Sequence, residues 1–269
     1  MTLQKLLGNN YKWWYLFVFT LKSATVYRAS ELAQMIGSLV SIAGVLIVWY
    51  ANISSGSSLY TFSFIFTYFV LGRVFFDITE ALNVYALGSD IWDGGLNQRL
   101  LVTQNIWLYH SAKGFGQSIF NIIVEFLFIG VIAILGWQYL IFPDLAWQWI
   151  FFLVLVSLNI LHNLYLQIIL ESLYFFFTNA WGFRNLINNF KLLTSGRIFP
   201  LDILPQISWF AFSPFAFVYF LPMQIYLGKT DFNQSVWIVF GSIFWLVVLF
   251  VVARVVYQKG LKKFEAVGL

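Results

Sequence analysis

Polar residues recur at helical spacing inside apolar stretches of this sequence. Asn159, Asn163, Gln167 and Glu171 follow one another at intervals of four, with His162 beside them. On a helix of 3.6 residues per turn such a stripe drifts by about 40° per step, so it must face protein or water rather than lipid. It serves either as a set of interhelical hydrogen bonds, worth about 0.6–2 kcal/mol each, or as the lining of a pathway. Arg73, Asp77 and Glu80 share another helix face at i, i+4 and i+7, the spacing of an ion pair near a helix end. Glu125 and Lys191 stand alone in apolar surroundings. On insertion scales each costs about 2.5–3.5 kcal/mol, so each needs a partner or water, and pairing with each other is one solution. Asn185, Asn188, Asn189, Thr194, Ser195 and Arg197 surround Lys191, which marks that stretch as a candidate pore-facing helix. Gly37, Ser41 and Gly44 form a small-residue face of the kind that packs helices together.

Enzymatic arrangements are weak by comparison. His110 and His162 lack metal-ligand spacing, and the absence of cysteine excludes disulfides, thiolate metal sites and cysteine nucleophiles. No Gly-x-Ser-x-Gly elbow occurs. Gly228-Lys229-Thr230 resembles the end of a phosphate-binding loop, but Met223 stands where its first glycine is required. The expectation is a chain with no catalytic, cofactor-binding or metal residues of its own. An intramembrane enzyme (a protease or a lipid-modifying transferase) is the alternative class, with His162 as its only placed base. A channel that works without ATP is another.

The elements that position these residues follow from composition. Of 269 residues, 61% are hydrophobic and 21% aromatic, and only 10% are charged, against roughly 25% charged in a soluble chain. So few charges cannot cover a water-facing surface, which excludes a soluble enzyme and a disordered chain. A net charge of +4 with basic residues at membrane edges is not the footprint of a nucleic-acid binder. The class is a polytopic all-α membrane protein embedded in a lipid bilayer.

A bilayer core needs about 20 apolar residues per helix. Six spans are expected: Leu32–Tyr50, about Leu59–Ala81, about Phe115–Tyr139, Ala146 to about Phe177, a more polar span over Trp181–Phe199, and Val236–Val256. Ahead of them, residues 10–28 hold the short run Trp13–Phe19 between basic residues, which predicts a helix lying in the membrane interface. Residues 198–227 contain Pro200, Pro205, Pro214 and Pro222, four of the five prolines. Each removes a backbone donor, and broken backbone survives at membrane depth only under protein cover. The expectation is a re-entrant pair of short helices entering from the outer face before the last span.

Orientation follows the basic residues. Lys5, Lys12, Lys22, Arg28, Arg73, Arg99, Lys113, Arg184, Arg254, Lys259, Lys262 and Lys263 fall on one side of the six-span topology, which makes both termini cytoplasmic. On that side lies the segment 85–113. Within it Asp93 can cap a short helix, Gly94 and Gly95 allow a tight approach, and Leu96, Leu100 and Leu101 would form an apolar face. The segment is either a docking element for a soluble partner or an ordinary interfacial loop.

Several runs carry a family resemblance. The turn reads Asp93-Gly94-Gly95-Leu96-Asn97-Gln98-Arg99-Leu100-Leu101. A later run reads Gly196-Arg197-Ile198-Phe199-Pro200-Leu201-Asp202-Ile203-Leu204-Pro205, followed by Pro214-Phe215, Pro222 and Leu227-Gly228. The tail is Gly260 to Gly268. In order and spacing, over essentially the whole chain, these resemble the type-2 export permeases of ATP-binding-cassette (ABC) transporters, in a bacterial subfamily of about this length. Asp93 departs from the pattern where a basic residue often precedes the glycine, and Thr103-Gln104 where many members have proline.

The resemblance implies a permease subunit in the bacterial inner membrane, formed as a single domain over 1–269. It implies a second permease subunit, identical or related, and separate ABC ATPase subunits that carry the ATP and Mg. It also implies ATPase coupling through Asp93, Gly94, Gly95, Leu96, Arg99 and Leu100. The expected translocation path runs past Asn159, Asn163, Asn185, Asn188, Asn189, Lys191 and Ser195.

Overall fold

The computed structural model describes residues 11–24, 28–56, 59–102, 105–177, 180–203 and 205–264. Lys5, the Thr103–Gln104 pair and the tail beyond Phe264 lie outside them, as do the side chains of Lys12 and Arg28. Ten α-helices occur among the described residues: α1 Tyr11–Ala24, α2 Arg28–Ser54, α3 Phe62–Thr79, α4 Tyr85–Trp92, α5 Gly95–Val102, α6 Ile106–Leu135, α7 Ala146–Ser172, α8 Ala180–Thr194, α9 Phe220–Tyr226 and α10 Phe232–Lys263.

Among the described residues five helices are long and apolar enough to cross a membrane: Ile36–Ser54 within α2, then α3, α6, Ala146–Phe175 built on α7, and α10. Local chemistry sets their starts. The Thr61 hydroxyl accepts from the Phe64 N–H at 3.3 Å ahead of α3, and the Asn105 side chain accepts from the Leu108 N–H at 3.0 Å ahead of α6. At α10, Asp231 and Gln234 form a reciprocal capping box. The α2 and α6 windows are only 6% buried, so their apolar faces point outward, as lipid-facing helices do.

The expected fifth span is shorter than the sequence suggested. Helix α8 has 15 residues, about 22 Å at 1.5 Å per residue, against a hydrocarbon core of about 30 Å. It stops because the chain turns at Gly196 (φ +83°) and then meets Pro200. The third span is longer than expected, because α6 begins at the Asn105 cap, ten residues before Phe115.

Helices α7 and α10 run parallel. Trp147 and Phe151 at the start of α7 meet Phe232 at the start of α10, with ring centroids 5.7 and 5.4 Å apart. At the other end, Phe175 meets Tyr257 and Phe264 at 5.9 and 5.7 Å. Two parallel neighbours oblige the intervening chain to return, and α8 with the proline segment makes that return. Its course is fixed by hydrogen bonds. Tyr68 donates to the Gly196 carbonyl at 2.6 Å, and Tyr60, near the start of α3, donates to Asp202. The chain then folds back, where Asn159 in the middle of α7 donates to the Phe217 carbonyl at 2.6 Å and Tyr219 donates to the Tyr68 carbonyl at 3.0 Å. Finally Gln224 comes back to Asp202 at 3.4 Å. The proline segment is mostly short 3-10 turns, ending in the seven-residue α9.

Apolar packing gathers toward the two ends. Phe64, Tyr68, Phe69 and Phe152 pack with Leu201, Phe220, Met223 and Tyr226 at one end. Val84, Leu87, Ile91 and Leu96 pack with Ile106, Ile168, Phe175 and Tyr257 at the other. Along α3 and into the loop after it, Thr79, Glu80 and Asn83 fall between the two sets. The predicted N-terminal helix is present as α1 and packs on α6. Phe17 stacks on Phe115 at 5.4 Å, and Thr20 sits so close to Gly116 that a Cβ there would lie 1.9 Å from its hydroxyl.

Gly196 combines a left-handed φ with crowding, since a Cβ there would stand 2.8 Å from the Phe220 Cβ and 2.9 Å from the Tyr68 hydroxyl. Gly196→Ala is therefore expected to destabilise the protein by at least about 1–2 kcal/mol. Gly130→Ala, in the open interior of α6, should be neutral or slightly stabilising. Thermal unfolding of the purified chain in neutral detergent checks both, and equal midpoints for the two variants would refute the account of this turn.

Candidate functional site

Helix α3 and its C-cap carry three ionisable groups, two of which, Arg73 and Glu80, find partners on other helices. The Arg73 Nε lies 3.1 Å from Asp77 Oδ2 and 2.6 Å from Glu125 Oε1 on α6. Ser38 of α2 donates to the same Glu125 oxygen at 2.8 Å. One turn past Asp77, Glu80 at the α3 C-cap accepts from Lys191 Nζ of α8 at 2.9 Å. Lys191 also donates to Asn163 Oδ1 at 2.6 Å, and the Asn163 amide donates to Thr79 at 2.8 Å. The i, i+4, i+7 pattern thus serves two separate ion-pair groups.

Glu125 and Lys191 do not pair with each other. Arg73 and Glu80 take those places, because α3 lies between α6 and α8 and offers a charge of the right sign to each side.

Two cavities flank this part of α3. One, of about 360 Å³, is lined by Ser38, Arg73, Asp77, Glu80, Asn83, Tyr85, Ser118, Asn121, Ile122 and Glu125. The other, of about 250 Å³, is lined by Phe76, Glu80, Tyr85, Asn188, Asn189, Lys191, Leu192, Ser195 and Arg197. Glu80 and Tyr85 belong to both walls, so the cavities adjoin. Burial pushes the Tyr85 phenol well above its ordinary pKa, so it acts as a neutral hydrogen-bonding group. Arg197 rests on the Phe76 ring, 4.0 Å from its centroid, with Lys191 Nζ 5.1 Å from the same ring. Such contacts contribute about 0.5–2 kcal/mol.

Among the expected path residues, Asn188, Asn189, Lys191 and Ser195 line the smaller cavity, and Asn163 is linked to it only through its hydrogen bond with Lys191. Asn159 does not, because it is buried and spent on the Phe217 carbonyl. Asn185 is partly exposed and lines neither cavity. Gln167 and Glu171 are buried as well. Gln167 accepts from the Val84 N–H at 3.1 Å, and Glu171 holds Arg184 at 3.0 Å. The α7 stripe therefore faces this protein's own helices. His162 contacts its own helix, with Nδ1 3.1 Å from the Leu158 carbonyl. Asn83, Ser118 and Asn121 escaped the sequence reading. Ser118, Asn121 and Glu125 sit at i, i+3 and i+7 on α6, which was the signal available.

The turn between α4 and α5 is built as a latch. Gly94 has φ +79°, and the Gly95 N–H donates to Asp93 Oδ1 at 3.1 Å. Asp90 Oδ2 accepts from Arg99 Nε at 3.4 Å, tying α4 to α5, and it also lies 3.4 Å from His110 Nε2 of α6, which makes no hydrogen bond among the described residues. Arg99 also covers the Tyr109 ring at 4.9 Å. The expected apolar face is different in composition: Leu96 is fully buried, whereas Trp92, Leu100 and Leu101 are exposed. Leu96 points inward because α5 packs back on α4, placing it among Leu87, Ile91 and Ile106.

An all-helical chain with several apolar helices and a polar interior layer is the build of a membrane transport subunit. Residues 32–268 match the family model of the ABC-2 family transporter proteins, and the chain belongs to that family, as a transmembrane permease of the ABC-transporter type. A comparison with curated proteins finds no match.

Breaking a buried ion pair by removing one partner costs about 3–5 kcal/mol. Lys191, whose side chain is 8% exposed against 29% for Glu80, is the more sensitive end. Lys191→Met should lower the unfolding midpoint clearly, and adding Glu80→Gln should recover part of the loss. Adding Glu125→Gln instead should recover nothing. Rescue by Glu125→Gln in thermal melts would overturn these pairings.

Proposed function

We propose that this chain is the permease subunit of an ATP-driven exporter in the bacterial inner membrane, with both termini cytoplasmic. Two permease subunits, identical or related, form the pathway, and two ABC ATPase subunits bind beneath them and carry the ATP and Mg. The family match over residues 32–268 carries the reading. The polar cavities beside α3 support it, since a pathway for a polar solute needs hydrated groups at membrane depth.

In this reading the return between α7 and α10 is the sixth crossing. The parallel course of those two helices supports it, because a chain that ends one downward helix and begins another must climb between them. The proline segment is then re-entrant from the outer face. Its contacts support this order: it leaves Asp202 beside Tyr60, reaches Asn159 with Phe217, and returns to Asp202 with Gln224. The buried surroundings of residues 216–227 supply the cover that broken backbone requires.

Coupling runs through the α4–α5 turn. Trp92, Leu100 and Leu101 offer the ATPase an apolar patch, and Leu100 borders a groove of about 520 Å³ shared with α6 and α10. The Asp90 latch carries force from α5 into α6, while Gly88, packed against Glu171 and Tyr174, carries it from α4 into α7.

Two outcomes test this reading. Cysteine at Asn52 should react with an impermeant thiol reagent on intact cells, and cysteine at Gln98 should react only after permeabilisation. The reverse pattern would refute the topology. An ABC ATPase should copurify with the chain from its native cells, and Leu101→Asp should reduce the yield of that complex about tenfold or more while leaving the permease folded. Undiminished copurification would mean that the ATPase docks elsewhere.

A further inference from the structure

We infer that the two cavities form one binding site for a zwitterion, a molecule carrying an ammonium group and a phosphate or carboxylate a short distance apart. The inference rests on the permease reading and names the substrate class of its pathway.

The acidic and basic side chains around the cavities are equal in number but divided between the ends. In the larger cavity, the carboxyl groups of Asp77 and Glu125 share the single guanidinium of Arg73. That end has one carboxyl group more than it has cations. In the smaller cavity, Lys191 is matched by Glu80, while Arg197 makes none of the ion pairs among the described residues. That end has one positive charge in surplus. The matched pair and Tyr85 form the wall between them.

A cation alone would satisfy the first end and leave Arg197 unmatched. An anion alone would do the reverse. A zwitterion lying across Tyr85 satisfies both, with its ammonium toward Asp77 and Glu125 and its anionic group toward Arg197. The Asn121 side-chain oxygen on one side, which has no hydrogen-bond partner among the described residues, and Asn188 and Asn189 on the other supply hydrogen-bonding groups along the way. Ligand pockets are usually lined mainly by apolar groups, and this lining is mostly polar, which selects a charged headgroup over an apolar drug-like body. The apolar outward residues beside Glu125, Ile123 and Phe126, suit a headgroup whose tail remains in lipid.

The test is direct binding to the purified full chain in neutral maltoside detergent, read by thermal shift and by tryptophan fluorescence. The probes are lysophosphatidylethanolamine, phosphoethanolamine without a tail, lysophosphatidic acid and dodecylamine. The zwitterionic lysolipid should bind at least tenfold tighter than either the purely anionic lysophosphatidic acid or the purely cationic dodecylamine. Arg197→Gln should remove most of that preference while sparing dodecylamine. Glu125→Gln, which leaves Arg73 paired to Asp77, should weaken the zwitterion and spare lysophosphatidic acid. If phosphoethanolamine binds as tightly as the lysolipid, the source is a water-soluble zwitterion. If it does not, the source is a lipid. Equal affinity for all amphiphiles, or a preference unchanged by Arg197→Gln, would overturn the inference. ATPase copurification from the same cells is scored separately, so loss of the permease reading is distinguishable from loss of this site.

Discussion

Charge in an apolar interior must be matched close at hand, and helix α3 is where this protein does the matching. Arg73, Asp77 and Glu80 occupy successive turns and are linked to four other helices, through Ser38–Glu125 on one side and Lys191–Asn163 on the other. They add to the apolar packing of α2, where Ile42, Leu46 and Trp49 meet the core, and they fix α8, which presents much apolar surface outward. The hydrogen-bonded charges thus give α3 a register against its neighbours that apolar contacts alone leave loose. They also leave space: the same side chains line both cavities.

A second constraint is topological. The parallel packing of α7 and α10 can exist only if a short stretch of chain climbs back along them. The sequence meets that need with a 15-residue helix, a left-handed glycine and a proline-broken segment. The freed backbone groups are taken up by side chains of the surrounding helices, with Tyr68 on Gly196 and Asn159 on Phe217. Polar residues on α3 and α7 are therefore committed to holding irregular backbone. This is why Asn159, although in line with Asn163, belongs to the scaffold while Asn163 belongs to the charged layer.

The α4–α5 turn shows the same economy of means. Asp90 gathers Arg99 and His110, and Leu96 fills the space beneath. The turn thereby packs on α6 and α7, suited in the proposed function to pass a push from below into the helices around the cavities.

Composition and local pattern were enough to establish the class, most of the spans and, on α7, the face that avoids lipid. Hydropathy and spacing are local properties, readable from one window of chain. The α7 stripe of Asn159, Asn163, Gln167 and Glu171 was therefore recognisable as protein-facing, and the proline segment as broken backbone under cover. The family was legible in the order of weak motifs, and the match over residues 32–268 agrees with it. Which charge meets which was decided only by tertiary structure. Glu125 and Lys191 looked like natural partners, yet α3 stands between their helices and takes both. Leu96 looked as available as Leu100 until α5 folded back on α4. The length of α8 depended on where Gly196 had to turn to reach Tyr68. Each of these depends on the relative depth and rotation of helices distant in sequence, and a one-residue rotation of about 100° changes the neighbour. Periodicity identifies the face a residue occupies, but only packing determines what that face meets.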